Sequence, residues 1–135
     1  MYLVIYIGNF IILNKILNYY NYDDTFISLG DIIDRGLDGI KCLERVIMDP
    51  RITCLMGNHE RMMVNGMLEY YHSKDMWCHD FMLWIQNGGN NTFQALTQLP
   101  KEHQTKILNV VNEWSQYAFY DTSNRLPHIF ITCRL

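Results

Sequence analysis

Short β-rich runs alternate with segments of helical periodicity over the first 56 residues, and this alternation restricts the fold more than any other feature. The β-rich runs cover residues 2–7, 25–29 and 52–56, and apolar residues recur at helical spacing in 10–20 and 37–48. The order strand, helix, strand, helix, strand is typical of right-handed βαβ units, whose strands form a parallel sheet. We therefore expect an α/β fold that begins with a β-α-β-α-β sheet.

The chain becomes mainly helical after Gly57. Helical spacing predicts further helices over residues 61–71, 77–86, 91–99 and 102–116, and weaker strand patterns lie at 117–120 and 128–132. No internal repeat or low-complexity linker interrupts the sequence, so we expect a single domain over residues 1–135. With 49% hydrophobic residues, a chain of 135 residues can bury an ordinary core.

Composition excludes several classes of function. The formal charge of -3 provides no broad basic field, so we expect no nucleic acid partner. The apolar N-terminal run is short and lacks a basic leader, and no run approaches the roughly 18 apolar residues that cross a bilayer, so we expect neither a signal peptide nor a membrane anchor. The 4 cysteines are far apart and form no Cys-x-x-Cys pair, which favours reduced thiols in a cytoplasmic protein.

Polar, mostly charged residues follow the second and third predicted strands. They are Asp31, Asp34, Arg35, Asn58, His59 and Glu60. Such groups are costly to desolvate unless something pairs them. Because the carboxyl ends of parallel strands meet at one edge of a sheet, we expect the two clusters to form one site.

These residue types suit metal-assisted phosphoester hydrolysis. Divalent cations accept both the Asp31 carboxylate and the Asn58 amide oxygen, and paired cations activate water and stabilise the attacking and leaving oxygens. Arg35 can bind phosphate oxygens bidentately. His59 can protonate a leaving alkoxide while Asp34 orients its ring. The competing structural interpretation is that these groups only cap turns and a helix N-terminus.

Two blocks in these clusters carry a family resemblance. The stretch GDIIDRG at residues 30–36, followed by GNHE at 57–60, resembles the second and third signature blocks of the calcineurin-like metallophosphoesterases, in their phosphoprotein phosphatase branch. GNHERMM at 57–63, with WIQNGG at 84–89, is similar to the bacterial and phage-type serine/threonine protein phosphatases. The resemblance implies the N-terminal part of a calcineurin-like metallophosphoesterase sandwich, and hence an incomplete domain.

The resemblance also implies a role for each residue of the clusters. Asp31 would bridge two metal ions and Asn58 would bind the second of them. His59 would be the general acid, Asp34 would support it, and Arg35 would hold phosphate. In the same way, Glu60 would buttress the loop and residues 87–89 would line the approach to the site.

The implied cofactors are divalent metal ions, with manganese preferred and iron or zinc as alternatives. The implied substrate is a phosphoprotein or a small phosphoester. Two other functions stay open at this point: a dinucleoside-polyphosphate hydrolase, which shares both blocks, and a catalytically inactive remnant or binding module.

The sequence also departs from the family pattern. The family has Gly-Asp-x-His-Gly after its first strand, whereas here Gly8 is followed directly by Asn9 and Phe10. Asn9 offers an amide oxygen but cannot replace both an Asp and a His. A later His-Ala-Gly block is also missing, because Cys133, Arg134 and Leu135 follow the matching strand.

These departures lead to three expectations. Catalysis by this chain would be impaired, because Asp31 and Asn58 are the only recognisable metal ligands. Codons for His-Ala-Gly read one base out of frame can give Cys-Arg, so the ending suggests a frameshift. An uncovered sheet face would favour self-association.

Overall fold

The computed structural model describes residues 9–73, 77–120 and 128–131, so the predicted strand at 2–7 lies outside the described residues. From the first helix onward the elements follow the predicted order. They are α1 (Phe10–Tyr19), β1 (Phe26–Ser28), α2 (Gly39–Met48), β2 (Ile52–Cys54), α3 (Asn58–Ser73), α4 (His79–Trp84), a π-helical turn (Ile85–Gly89), α5 (Asn90–Thr97), α6 (Lys101–Asn112), β3 (Tyr117–Tyr120) and β4 (His128–Ile131).

Several helix ends differ from the prediction by one to four residues, and two of these differences concern the later helices. The predicted helix over 77–86 is divided between α4 and the π-helical turn, in which Gly88 has a φ of 100°. The predicted helix over 102–116 ends at Asn112. The residues after it leave the helix because the Ser115 carbonyl accepts a hydrogen bond from the Met56 amide at 2.8 Å, which draws this segment to the chain that follows β2.

The strands β1 and β2 are parallel, as the alternation predicts. Phe26 pairs with Ile52 and Ser28 with Cys54, so the two strands end level with each other. The Leu55 amide continues the ladder by donating to the Ser28 carbonyl at 2.8 Å. Both following loops therefore leave the same edge of the sheet, while β3 and β4 pair antiparallel elsewhere.

The core lies between the sheet and the helices. In α2 the buried Ile40, Leu43 and Val46 are spaced by three residues, which gives the helix one apolar face. Tyr70, Phe81, Trp84 and Phe93 form an aromatic cluster that joins α3, α4 and α5. This cluster packs the helices that follow β2 against one another.

The cysteines that the structure describes are free thiols. Burial raises the pKa of Cys42 to about 11 and that of Cys54 to about 12, so both stay protonated at neutral pH. Cys78 is free as well, and Cys133 lies outside the described residues. Within the described ranges, every helix is too short or too polar to span a bilayer.

Candidate active site

The loop after β1 has an unusual backbone. Asp31, Asp34 and Arg35 have φ values of 57°, 67° and 53°, in the left-handed region that side chains other than glycine rarely occupy. Residues held in such conformations cost of order 1–3 kcal/mol each and persist only where their surroundings fix them. Three of them within five residues indicate a loop shaped for a site.

The two loops approach each other backbone to backbone at Gly30 and Gly57. A Cβ on Gly30 would lie 2.2 Å from the Gly57 nitrogen, and one on Gly57 would lie 2.5 Å from both Asp31 Oδ1 and Glu60 Oε2. Any larger residue at either position would force the loops apart. The glycines of both sequence blocks are thus explained by this contact.

Glu60 joins the two loops. Its fully buried carboxylate accepts N–H bonds from Asp31 at 2.7 Å and Ile32 at 2.7 Å, and longer ones from Ile33 at 3.4 Å and Gly57 at 3.1 Å. Burial raises the pKa of Glu60, although the amides of Asp31 and Ile32 oppose that effect. Since α3 begins at Asn58, the same carboxylate also caps the start of a helix, so capping accompanies the buttressing contact.

The side chains of Asp31 and Asn58 meet at one point. With the Asn58 amide oriented to donate, its Nδ2 lies 2.9 Å from Asp31 Oδ2 and 2.7 Å from Asp31 Oδ1. Asp31 Oδ1 also accepts from the His59 backbone amide at 3.1 Å. Turning the Asn58 amide by 180° presents its oxygen at the same point, so a carboxylate and a carboxamide can reach one cation together.

The donor set is small within the described residues. No group of three or more His, Cys, Asp or Glu residues able to hold a metal ion occurs among them. Asn9, the residue that offers an amide oxygen near the missing first block, uses that oxygen to cap α1, accepting from the Ile12 amide at 3.1 Å. Asp31 and Asn58 are therefore the two oxygen donors that meet at this point, and both are of types that divalent cations accept.

His59 and Asp34 form a buried pair. His59 Nδ1 lies 2.8 Å from Asp34 Oδ2, and the two residues are 4% and 1% exposed. The hydrogen bond to Asp34 raises the pKa of His59 because it stabilises the charged ring, while burial opposes that effect. With Nδ1 turned to the carboxylate, Nε2 is the ring nitrogen left to exchange a proton.

Arg35 is exposed and lies beside the π-helical turn. A Cβ on Gly88 would be 3.7 Å from Arg35 Cγ, so residues 87–89 adjoin the loop that carries the arginine. Asn87, which is exposed, donates its side-chain amide to the Leu83 carbonyl at 2.7 Å. The structure therefore places this turn next to the cluster predicted from the sequence.

Two residues that hold the site were not predicted from the sequence. Trp84 Nε1 donates to Asp34 Oδ2 at 3.0 Å, and Thr92 Oγ1 accepts from the Asp34 amide at 3.2 Å. Trp84 had a signal, because a buried indole N–H usually needs an acceptor and its apolar neighbours offer none. Thr92 had no local signal, since 58 positions separate it from Asp34.

Comparison with known proteins adds to this geometry. The sequence profile of the family described as calcineurin-like phosphoesterase matches residues 6–130. Serine/threonine-protein phosphatase 1 of Salmonella typhimurium is 30% identical over 131 residues, covering 94% of this chain and 50% of that protein. Serine/threonine-protein phosphatase 2 of Escherichia coli is 31% identical over 111 residues, covering 76% and 46%. The chain spans about half the length of these curated relatives.

Proposed function

Since the chain belongs to the calcineurin-like phosphoesterase family, we propose that its site hydrolyses phosphate esters in the manner of serine/threonine protein phosphatases. The observation that carries the proposal is the juxtaposition of two pairs. His59 links the two pairs. Its backbone amide donates a hydrogen bond to Asp31, which pairs with Asn58, and its ring forms a hydrogen bond with Asp34. A cation ligand set and a proton donor therefore adjoin each other, as phosphoester cleavage requires.

Asp31 and Asn58 are proposed to hold a divalent cation, with manganese preferred. Such an ion, when bound, lowers the pKa of coordinated water and neutralises charge on phosphate oxygens. Asp31 supplies the negative charge and Asn58 a neutral oxygen. The Glu60 carboxylate keeps the backbone of both loops in register, so that these ligands stay at one point.

Two further tasks, binding the phosphate group and protonating the leaving oxygen, are assigned to Arg35 and His59. Arg35 lies exposed on the same loop, where its planar fork can pair with two phosphate oxygens of a phosphoserine or phosphothreonine residue. His59 protonates the leaving oxygen from Nε2, because Asp34 holds the proton on Nδ1. The raised pKa of His59 keeps a larger fraction of the ring charged near neutral pH, which suits a general acid.

We also propose that hydrolysis by this chain is slow. The sequence has Asn9 and Phe10 directly after Gly8, where the family pattern has an Asp and a His, and the Asn9 oxygen caps a helix. A cation held by Asp31 and Asn58 would therefore be bound weakly. Removing single groups from preorganised sites already costs orders of magnitude in rate.

The test is hydrolysis of a phosphoserine peptide by the purified chain with Mn²⁺, together with Mn²⁺ calorimetry. We expect slow turnover and weak binding of Mn²⁺ by the wild type. Asp31→Asn should abolish both, whereas the exposed control Asp23→Asn should retain both. Turnover at a rate typical of enzymes would contradict the proposed impairment. Absence of both turnover and Mn²⁺ binding would contradict the enzyme proposal and favour a binding module. Faster cleavage of a dinucleoside polyphosphate would assign the other hydrolase function.

A further inference from the structure

The Asp34 carboxylate makes its hydrogen bonds through one of its two oxygens. His59 Nδ1 and Trp84 Nε1 lie 2.8 and 3.0 Å from Asp34 Oδ2. Asp34 Oδ1 is buried and has no hydrogen-bond partner within the part of the chain that the structure describes. The direction of the carboxylate therefore depends on the two donors that converge on Oδ2.

The fold fixes the indole independently of the site. Trp84 is 0% exposed and meets Phe81 and Phe93 edge to face. A Cβ on Gly89 would lie 2.4 Å from Trp84 Nε1, and one on Gly66 would lie 3.3 Å from Trp84 Cε3. The ring is thus enclosed by α3 and the π-helical turn, so its N–H is aimed before any substrate binds.

The chemistry of the donor suits this place. An indole N–H only donates and carries no charge, so it can orient a carboxylate without neutralising it. A lysine or arginine at the same place would compete with the imidazolium for the charge of Asp34. Trp84 therefore constrains the carboxylate and leaves its charge available to His59.

We propose that Trp84 is a positioning residue that sets the orientation of Asp34, and through Asp34 the orientation of the His59 ring. The consequence for catalysis rests on the proposed function, in which His59 is the general acid. The structural part of the inference needs only the contacts among Trp84, Asp34 and His59. No step of the reaction touches Trp84 itself.

The test removes the indole N–H and leaves the ring. Trp84 is replaced by benzothienylalanine, which has sulfur in place of the N–H group, and in a second protein by Phe. Asp34→Asn identifies the proton signal of His59 Nδ1–H, and Trp114→Phe controls for loss of an indole elsewhere. Far-ultraviolet circular dichroism and the amide spectrum verify that each variant is folded.

Nuclear magnetic resonance spectra of all variants are compared at constant pH. In the benzothienylalanine protein we expect the His59 Nδ1–H signal to shift, and to broaden because the proton exchanges faster with solvent. In Trp114→Phe we expect the same signal to stay unchanged. A His59 signal that is the same with and without the indole N–H would overturn the proposal. Because this measurement needs neither metal nor turnover, it tests the positioning role even in an inactive chain.

Kinetics provide the second measurement. Loss of one hydrogen bond to a charged group should lower kcat about 10-fold and leave KM within about twofold. An equal loss of kcat in Trp114→Phe would also count against the positioning role. A wild-type chain that does not hydrolyse phosphate esters would overturn the proposed function, and the His59 signal would still decide the role of Trp84.

Discussion

The site depends on a loop that its own residues would not adopt alone. Asp31, Asp34 and Arg35 all have positive φ angles, and each such residue opposes folding by of order 1–3 kcal/mol. Glu60 offsets part of this cost because its carboxylate accepts hydrogen bonds from the backbone amides of Asp31 and Ile32, both at 2.7 Å. A buried charge distant in sequence thus fixes the conformation that the ligand loop needs.

We predict that Glu60→Gln destabilises the protein. Glutamine keeps the shape of the side chain but replaces one acceptor oxygen by an NH₂ group, which in either amide orientation faces two backbone amides, those of Asp31 and Gly57 or those of Ile32 and Ile33. Leaving buried donors unpaired should lower the free energy of unfolding by about 2–4 kcal/mol. Urea denaturation followed by circular dichroism measures the change.

The matched control is Glu102→Gln, on the exposed side of α6. It removes the same charge from the surface and should change the free energy of unfolding by less than about 0.5 kcal/mol. Equal stability of Glu60→Gln and the control would show that the buried carboxylate does not hold the loops.

The sequence predicted that Asp31 meets Asn58 and that Asp34 meets His59, but it did not predict the contacts of Asp34 with Trp84 and Thr92. Asp31 and Asn58 lie three and four positions after the ends of the paired strands β1 and β2, so the parallel sheet brings both to one edge. The donor Trp84 comes from a helix 50 residues away, and its approach depends on the packing of Gly66 and Gly89. A buried indole needs an acceptor, but no local pattern identifies Asp34 as that acceptor.

At the scale of elements, one ion-pair cluster joins α1, α2 and β2. Asp49, at the end of α2, accepts from Arg45 Nη1 at 2.9 Å and from Arg51 Nη2 at 2.8 Å. Arg51 also donates to the Leu17 carbonyl at 3.2 Å and the Asn21 carbonyl at 3.3 Å, near the end of α1. The cluster thus anchors the crossover that sets β1 and β2 side by side.

We predict that this anchor weakens in acid. The hydrogen bond from Arg51 is the main cause that holds the pKa of Asp49 far below its usual range. Because the folded-state pKa is lower than the unfolded one, the stabilisation is complete above about pH 4 and is lost as pH falls towards the folded-state pKa. Asp49→Asn should therefore cost about 2 kcal/mol at pH 7 and progressively less below pH 4.

Urea titrations of wild type and Asp49→Asn at pH 7, 4 and 2.5 give the difference directly, with the exposed Asp23→Asn as control. Taking the difference between the two proteins cancels the protonation of other carboxylates. A gap that stays constant down to pH 2.5 would mean that the charge of Asp49 does not stabilise the fold.

Element order was predictable because periodicity reports which face of a segment is buried, whereas element ends depend on contacts that periodicity does not include. The apolar spacing of 37–48 predicted α2, which begins two residues later at Gly39. The helix predicted to extend to 116 ends at Asn112, because Ser115 pairs with Met56. Tertiary hydrogen bonds, rather than propensity, set that end.

At the scale of the whole molecule, the site combines two parts of the chain with different tasks. The sheet and its loops provide the proposed ligands Asp31 and Asn58, and the later helices provide the donor Trp84 and the acceptor Thr92. The aromatic cluster packs α4 and α5 against Tyr70 of α3, so the orientation of Asp34 also depends on α4 and α5, two helices that carry none of the proposed reacting groups.

If the cation site is functional, metal binding must be linked to the stability of the whole fold, because the loops that bring Asp31 and Asn58 together exist only in the folded chain. For a dissociation constant on the order of 100 µM, 1 mM Mn²⁺ would add about 1.4 kcal/mol to the free energy of unfolding. We predict a stabilisation of about this size in the wild type and none in Asp31→Asn, measured by urea denaturation with and without Mn²⁺. The Asp23→Asn control should respond like the wild type, since that carboxylate is exposed and belongs to neither cluster. Equal stabilisation of Asp31→Asn and wild type would place the ion elsewhere on the molecule, and a gain above about 4 kcal/mol would imply a ligand set larger than this carboxylate and amide.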